Sequence, residues 1–563
     1  MTSPHQLNDS DDEGRFVTNC RTVDEYPATL LHDRHRRRSK YHRYQLDSNA
    51  WGLFISPGDE SAIFLPIRDF DSYGAKLSPV NYTSEEQLRE VLGEDLRTTI
   101  LPDDPSWLKP DPKCRVILLE SPHPGSRRLN VTRSMFMRLM TYHQVSSNYL
   151  SFISSFGTPT RSLGFGGFRS EVSLDEPQFV SGKLGRSGKQ IKLSYSLETI
   201  QRNLLDQVRN MKYPGDNDPD PDSHIYWLRP QAAIHHQFDT ETGASLWIIT
   251  SPLIPTINEL GKTVERSPLW HDYISSYLKS GLTTTNVCLE GMRRSLEIHV
   301  RLIDWAVGEC SSYIQYVDEN MEHLARKYLY VGVRVSVDEE DIRRLYNLTD
   351  DTDTCIVRLE DNLRVLESLS AFYQEHFSST KNCPYRDDVD NFCSELRDRK
   401  FEMESLAFRA RALASLARSR ESVMTKFLQN QSNLVMLDLA KRSHEETVVM
   451  GLFQTIALFY LPITVVSAVF STDIVKFQDL EPGQTHSWSP MALWSWVVTS
   501  AGLTIVTIAF SEIWKRWKRN KLLTRLKRQQ PIAREYYTPP EPEPPVPSIR
   551  RRKQHKSTSI LPK

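Results

Sequence analysis

One run of residues restricts this chain more than any other. VVMGLFQTIALFYLPITVVSAVF, from Val448 to Phe470, carries no charge, in a chain with 25% charged residues and a mean hydropathy of −0.47. About 23 apolar residues make roughly 34 Å of helix, enough to cross a hydrocarbon core. A second run, MALWSWVVTSAGLTIVTIAF from Met491 to Phe510, is also long enough. Trp488, Trp494 and Trp496 enter it, and Trp514 and Trp517 leave it, where aromatic side chains anchor a span at the interface. A buried soluble helix is the alternative for either run, but no other segment of the chain is comparably apolar. The two runs read as a transmembrane hairpin in contact with the lipid bilayer.

The flanking charges orient it. KRWKRNKLLTRLKR follows the second span, Lys441 and Arg442 precede the first, and the loop between has Lys476 among Asp473, Asp479 and Glu481. Cationic flanks stay inside, so both termini are expected in the cytosol and the Ser471–Ser489 loop outside. The opening MTSPHQLNDSDDEGRF has no apolar signal core and is acidic too early for a mitochondrial presequence. The expected location is therefore the plasma membrane rather than an organelle. By the same orientation the sequons at Asn81, Asn130 and Asn347 face the cytosol.

From about Val389 the pattern is helical, with no Gly or Pro until Gly451. Met403, Leu406, Ala410, Leu413, Ala417, Met424, Phe427 and Leu434 follow 3–4 spacing, the mark of a helix packed along a seam. An ordinary bundle helix has the same pattern, but continuity into a span favours an oligomeric, coiled-coil-like stalk. Helical stretches also run from Thr284 to Tyr328 and from Asp361 to Phe377, and Pro384 breaks the chain before the stalk.

The N-terminal half mixes strands and helices. Cys114–Glu120 (CRVILLE) reads as a strand, Met135–Gly157 as an amphipathic helix, and Ala232–Phe238 with Ala244–Thr250 as a hairpin around DTETG. The fold class expected is an α/β (α+β) cytosolic domain, then a long stalk helix, then a two-helix C-terminal transmembrane hairpin. In residues, this gives a weakly ordered extension over 1–110, the α/β domain over 111–280, a helical stalk region over 281–447, the hairpin over 448–510 and a basic, Pro-rich cytosolic tail over 511–563. Within the extension, His32–Arg43 (HDRHRRRSKYHR) is a basic run that reads as a solvated tail, a localisation signal or a contact with anionic lipid. Thr538–Pro547 (TPPEPEPPVP) suits a polyproline II segment able to recruit an adaptor domain, and equally a plain disordered tail.

No enzyme is legible. GFGGF (Gly164–Phe168) lacks a frame that opens a helix, and DNDPDPD (Asp216–Asp222) has Pro221 and Trp227 where a calcium loop needs Gly and Glu. His235 and His236 are adjacent on a strand and point to opposite faces, so they cannot share a metal. The seven cysteines are scattered without metal-binding spacing, and the net charge of −1 gives no field for nucleic acid. No cofactor is called for.

The layout over about residues 110–520 resembles the CorA-type magnesium transporters, specifically the large fungal CorA-like proteins. The likeness is carried by TYHQVSSNYLSFISSFG, by AAIHHQFDTETGASLWIITSP and, at the first span, by ALFYLPITVVSAVFSTD. It implies a CorA-like funnel, a homo-oligomer that is a pentamer, with first spans lining a pore for Mg²⁺ or another divalent cation. Members of that family end the first span on Gly-Met-Asn, whereas Ser471-Thr472-Asp473 stands here. Oxygen ligands and one carboxylate per subunit still suit Mg²⁺, which keeps most of its waters. The implied ion pathway is Thr464, Ser467, Ser471, Thr472 and Asp473, with Asp473 meeting the metal. Thr464, Ser467 and Ser471 share a helix face by spacing, although small polar residues there also suit helix-on-helix packing. The alternative function is a non-conducting CorA-derived scaffold or sensor.

Overall fold

The strands legible as apolar runs form the centre of the part that precedes the spans. In a computed structural model, β1 (Leu65–Phe70), β2 (Pro79–Tyr82), β3 (Cys114–Ser121), β4 (Phe168–Ser173), β5 (Gln190–Glu198), β6 (Gln231–Asp239) and β7 (Ser245–Pro252) build one sheet, ordered β2-β1-β3-β7-β6-β5-β4. The residues described are 4–33, 36–56, 59–70, 79–92, 108–122, 128–154, 156, 167–202, 227–257, 263–267, 269–278, 286–326, 339–378, 384–471 and 490–533. Strands β3 and β7 pair in parallel, Ile117 beside Ile248, and the other neighbours are antiparallel. The β6–β7 hairpin turns at Gly243, whose φ of +69° and close approach to the backbone of Val287 and Cys288 leave no space for a side chain.

Both faces of the sheet are covered, which is why β3 reads as an unbroken apolar run rather than an alternation. Cys114, Val116 and Leu118 enter one core with Leu193, Ile234, Trp247 and Ile249. Ile117 and Leu119 enter the other with Ala233, Leu246 and Ile248. The first core is closed by α6 (Val287–Val307), α7 (Cys310–Ala325), α8 (Glu339–Tyr373) and the first part of α9 (Arg386–Ser471). The second is closed by α1 (Pro4–Arg21), α2 (Arg36–Leu53), α3 (Glu85–Val91), α4 (Arg133–Tyr142) and α5 (Tyr149–Ile153).

This arrangement corrects the expectation of a weakly ordered extension over 1–110. Its described residues supply β1 and β2 to the sheet, and Phe16, Tyr26, Leu46, Leu53, Leu65 and Ile67 are buried in the second core. The segment is polar because each of its helices spends only a narrow stripe on the core. In α2 that stripe is Ser39, His42, Leu46 and Leu53. The helix expected over Met135–Gly157 is two helices, broken at His143–Asn148 where Gln144 takes a φ of 50°. The stretch from Thr284 to Tyr328 is likewise split, at Gly308 between α6 and α7, and α8 begins well before Asp361.

The chain divides into two compact units, Met1–Gln429 and Asn430–Lys563. The helical region is therefore not a body separate from the α/β domain, because α6 to α8 and α9 up to Gln429 belong to the first unit. The seam read as an oligomer contact serves this packing. Met403, Ala410, Leu413, Ala417 and Met424 are buried in the chain's own first core. Exposed apolar side chains of that stretch of α9 include Phe401, at 75% exposure, Phe408, at 72%, and Leu416, and the seam residues Phe427 and Leu434 beyond it are exposed as well.

Candidate functional site

The second unit carries the two spans. Helix α9 continues without interruption to Ser471, and α10 runs from Pro490 to Ala533. Each has an apolar stretch long enough to cross a membrane, and only 6% of either stretch is buried within the chain. Side chains such as Phe453, Ile456, Leu461, Val498, Ile505 and Phe510 point outward. Apolar surface of that extent needs lipid or further copies of the chain around it.

The contact between the spans is small and local. Pro462 and Val466 are buried on α9, and Ser500 is buried on α10. Pro462 has no amide hydrogen, so one rung of the helix ladder is missing within the span. Beside this contact the Trp496 indole nitrogen donates to Ser467 Oγ at 3.2 Å. At about 100° per residue, Thr464 and Ser471 lie about 140–180° around the helix from Pro462 and Val466. Both are exposed, and each hydroxyl donates to a backbone carbonyl three residues back, Leu461 at 2.9 Å and Ala468 at 2.8 Å. Each oxygen keeps lone pairs directed away from the helix.

The structure thus separates three residues that spacing alone puts together. Thr464 and Ser471 share the face turned away from the second span, while Ser467 is half-buried at its edge and held by Trp496. Thr472 and Asp473 lie outside the described residues, as do Thr538–Pro547 of the tail. The open face continues inward through Tyr460, Ala457, Phe453, Met450 and Glu446, all exposed. Their 3–4 spacing was present in the sequence but hidden, because an apolar stripe does not stand out within an apolar run. Trp496 could not be found that way, since only the folded hairpin pairs it with Ser467.

Among the described residues no group of three or more His, Cys, Asp and Glu side chains is arranged to hold a metal. His235 and His236 point to opposite faces of the sheet. His235 Nδ1 meets Ser194 Oγ at 2.8 Å, whereas His236 Nδ1 meets His299 Nε2 at 3.2 Å in the other layer. Burial lowers the pKa of both, to about 3 for His235, so neither carries charge near neutrality.

Two solved structures match this chain at low identity. The full-length CmaX protein is 12% identical, with 81% of this chain and 97% of that chain covered at a TM-score of 0.32. The CorA magnesium transporter from Methanocaldococcus jannaschii is 11% identical, with 80% and 97% covered at a TM-score of 0.29. No curated protein matches. A family model described as CorA-like transporters matches residues 18–329, more than half of the chain and all N-terminal to the spans. On that match, the chain belongs to the CorA-like transporters.

Proposed function

We propose that the chain is a divalent-cation channel or transporter, Mg²⁺ first, in which several copies bring their first spans together around a pathway. The observation that carries the reading is the open face of α9. Thr464 and Ser471 present oxygens on the side away from the second span, where neighbouring copies would enclose them. Rings of hydroxyl oxygens suit a cation that keeps its hydration shell and is steered through water. Trp496 holds Ser467 at the edge of that face and so sets the rotation of the first span relative to the second. Assembly as a homo-oligomer, a pentamer by family likeness, follows from the need to close such a pathway.

The outer mouth is assigned to Ser471, Thr472 and Asp473. One Asp473 carboxylate per subunit concentrates cations there and repels anions. The positive-inside rule puts this mouth outside and both termini in the cytosol, because Lys515, Arg516 and the cations after them follow the second span.

The test is Mg²⁺ uptake into liposomes containing the purified protein. Asp473→Lys is expected to abolish flux, and Asp473→Asn to retain it with altered selectivity, while both assemble normally. Wild-type flux through Asp473→Lys sinks the mouth assignment. A wild type that folds, assembles and conducts no divalent cation establishes the scaffold or sensor reading instead.

A further inference from the structure

A polar cavity lies in the cytosolic unit at the end of the sheet where β3 and β7 begin, far in sequence from the spans. Asp111, Arg115, His143, Gln144, Phe179 and Arg186 contribute to its wall. It offers about 60 Å³ to the centres of water-sized molecules, which is room for about four waters or one molecule of about four heavy atoms.

Three buried polar atoms of this wall have no hydrogen-bond partner: Asp111 Oδ1, His143 Nε2 and Arg186 Nη2. Their neighbours are thoroughly bonded. Arg186 Nε donates to Asp111 Oδ2 at 2.6 Å and Nη1 to the Tyr142 carbonyl at 3.1 Å. The guanidinium also lies over the rings of Phe16, Tyr142 and Phe179. His143 is 5% exposed and sits in the break between α4 and α5. That break is braced by the Gln144 amide, which accepts from Leu31 N at 2.8 Å and donates to the Thr141 carbonyl at 2.8 Å. Buried polar groups left open at a rigid wall are uncommon, and three around one space point to an occupant.

The charges identify its class. Asp69 accepts both Nε and Nη2 of Arg115, at 2.8 and 2.7 Å, and Asp111 balances Arg186. The imidazole is neutral, because burial and the two guanidiniums lower its pKa. Asp239, the remaining carboxylate of the wall, is already engaged by Ser187 N and Oγ and by the amides of Glu241 and Thr242, so every charge here is bonded and an ion would enter without a free counter-charge. What remains is one donor on Arg186, one acceptor on Asp111 and an imidazole nitrogen that serves as either. A carboxamide has that complement, its carbonyl toward Arg186 and its N–H toward Asp111. We infer that the cytosolic unit of this transporter binds a small uncharged molecule, or the end of a larger one, that carries a primary amide.

The inference does not depend on the pathway through the membrane. It is tested by saturation-transfer NMR on the full-length protein in detergent, with acetamide, acetate and acetone as probes of equal size. Acetamide is expected to bind with a Kd on the order of millimolar, as suits four heavy atoms, and the two isosteres at least tenfold more weakly. Asp111→Asn, which puts a donor where the acceptor stood, is expected to weaken acetamide at least tenfold. Absence of acetamide binding means that the cavity holds water only and overturns the proposal. So does acetate binding as well as acetamide, or an Asp111→Asn protein that keeps full affinity. If Asp111→Asn fails to fold, the comparison of the three probes on the wild type still decides.

Discussion

Acidification from pH 7.5 to 5.5 should loosen the first unit, Met1–Gln429, by a calculable amount. Four histidines, His143, His235, His236 and His299, are buried with depressed pKa values, about 3 for His235 and His299. Burial is the first cause in each, and neighbouring guanidiniums, a lysine or other imidazoles lower His143, His235 and His236 further. His236 stacks on Trp247 at 3.9 Å and meets His299, whose Nδ1 is bonded to the Tyr195 hydroxyl at 2.6 Å and whose Nε2 also lies 3.2 Å from the Tyr373 hydroxyl.

Below pH 6.5 the unfolded chain takes up these protons and the native state does not, so stability is complete above that pH and is lost as pH falls toward 3. A histidine that is protonated in the unfolded chain at pH 5.5 but not in the native state accounts for a little over 1 kcal/mol, so the four together contribute about 5–6 kcal/mol. Glu120 works against this. Burial raises it to about 7, so its native carboxyl takes up a proton over this interval while the unfolded one stays largely ionised, and it returns about 2 kcal/mol. Glu198 is also raised by burial and acts in the same sense. The net loss is about 3–4 kcal/mol. For a unit spanning Met1–Gln429 that corresponds to a fall in Tm of about 4 °C. The assay is thermal unfolding of the full chain in detergent, followed by near-ultraviolet circular dichroism at half-unit pH steps. A His236→Gln, His299→Gln protein keeps the opposing carboxyl groups and only two of the four histidines, so it should show about a quarter of the pH dependence, whatever its Tm at neutrality. A wild-type Tm that is flat or rising on acidification refutes the reasoning.

Other expectations concern assembly and topology. Leu413→Glu should destabilise the first unit itself by several kcal/mol, since Leu413 is 7% exposed in that unit's core. Phe401→Glu with Phe408→Glu should leave the unfolding temperature near wild type but shift the protein toward monomer in mild detergent, each ring contributing about 2–3 kcal/mol if neighbouring copies bury it. Unchanged association on size-exclusion chromatography with light scattering would show that this face is not the contact. Trp496→Phe removes the hydrogen bond that ties the second span to Ser467 of the first and should reduce Mg²⁺ flux severalfold without loss of expression, whereas normal flux would remove Trp496 from the positioning role. None of Asn81, Asn130 and Asn347 should be glycosylated in eukaryotic cells, while a sequon engineered into the middle of the Phe477–His486 loop should be; glycans on Asn130 or Asn347 would reverse the assigned topology.

Local signals in the sequence were sufficient for the spans, for β3 and for the β6–β7 hairpin. An uncharged run of membrane length has few alternatives, a doubly buried strand has no polar alternation, and a turn such as DTETG between apolar runs closes on itself. The opposed directions of His235 and His236 followed from the period of a strand in the same way. Those features depend on neighbours within a few residues. The part played by residues 1–110 does not, because Phe16, Tyr26 and Leu46 become a core only when the sheet offers them its second face. The stalk seam was legible as a pattern, but a 3–4 spacing looks the same whether the partner is another copy or α8 of the same chain, and the tertiary fold decided for the latter along Met403–Met424. Ser467 and Trp496, and likewise Asp111, His143 and Arg186, are distant in sequence, and only the closed chain brings them within bonding distance or around one cavity.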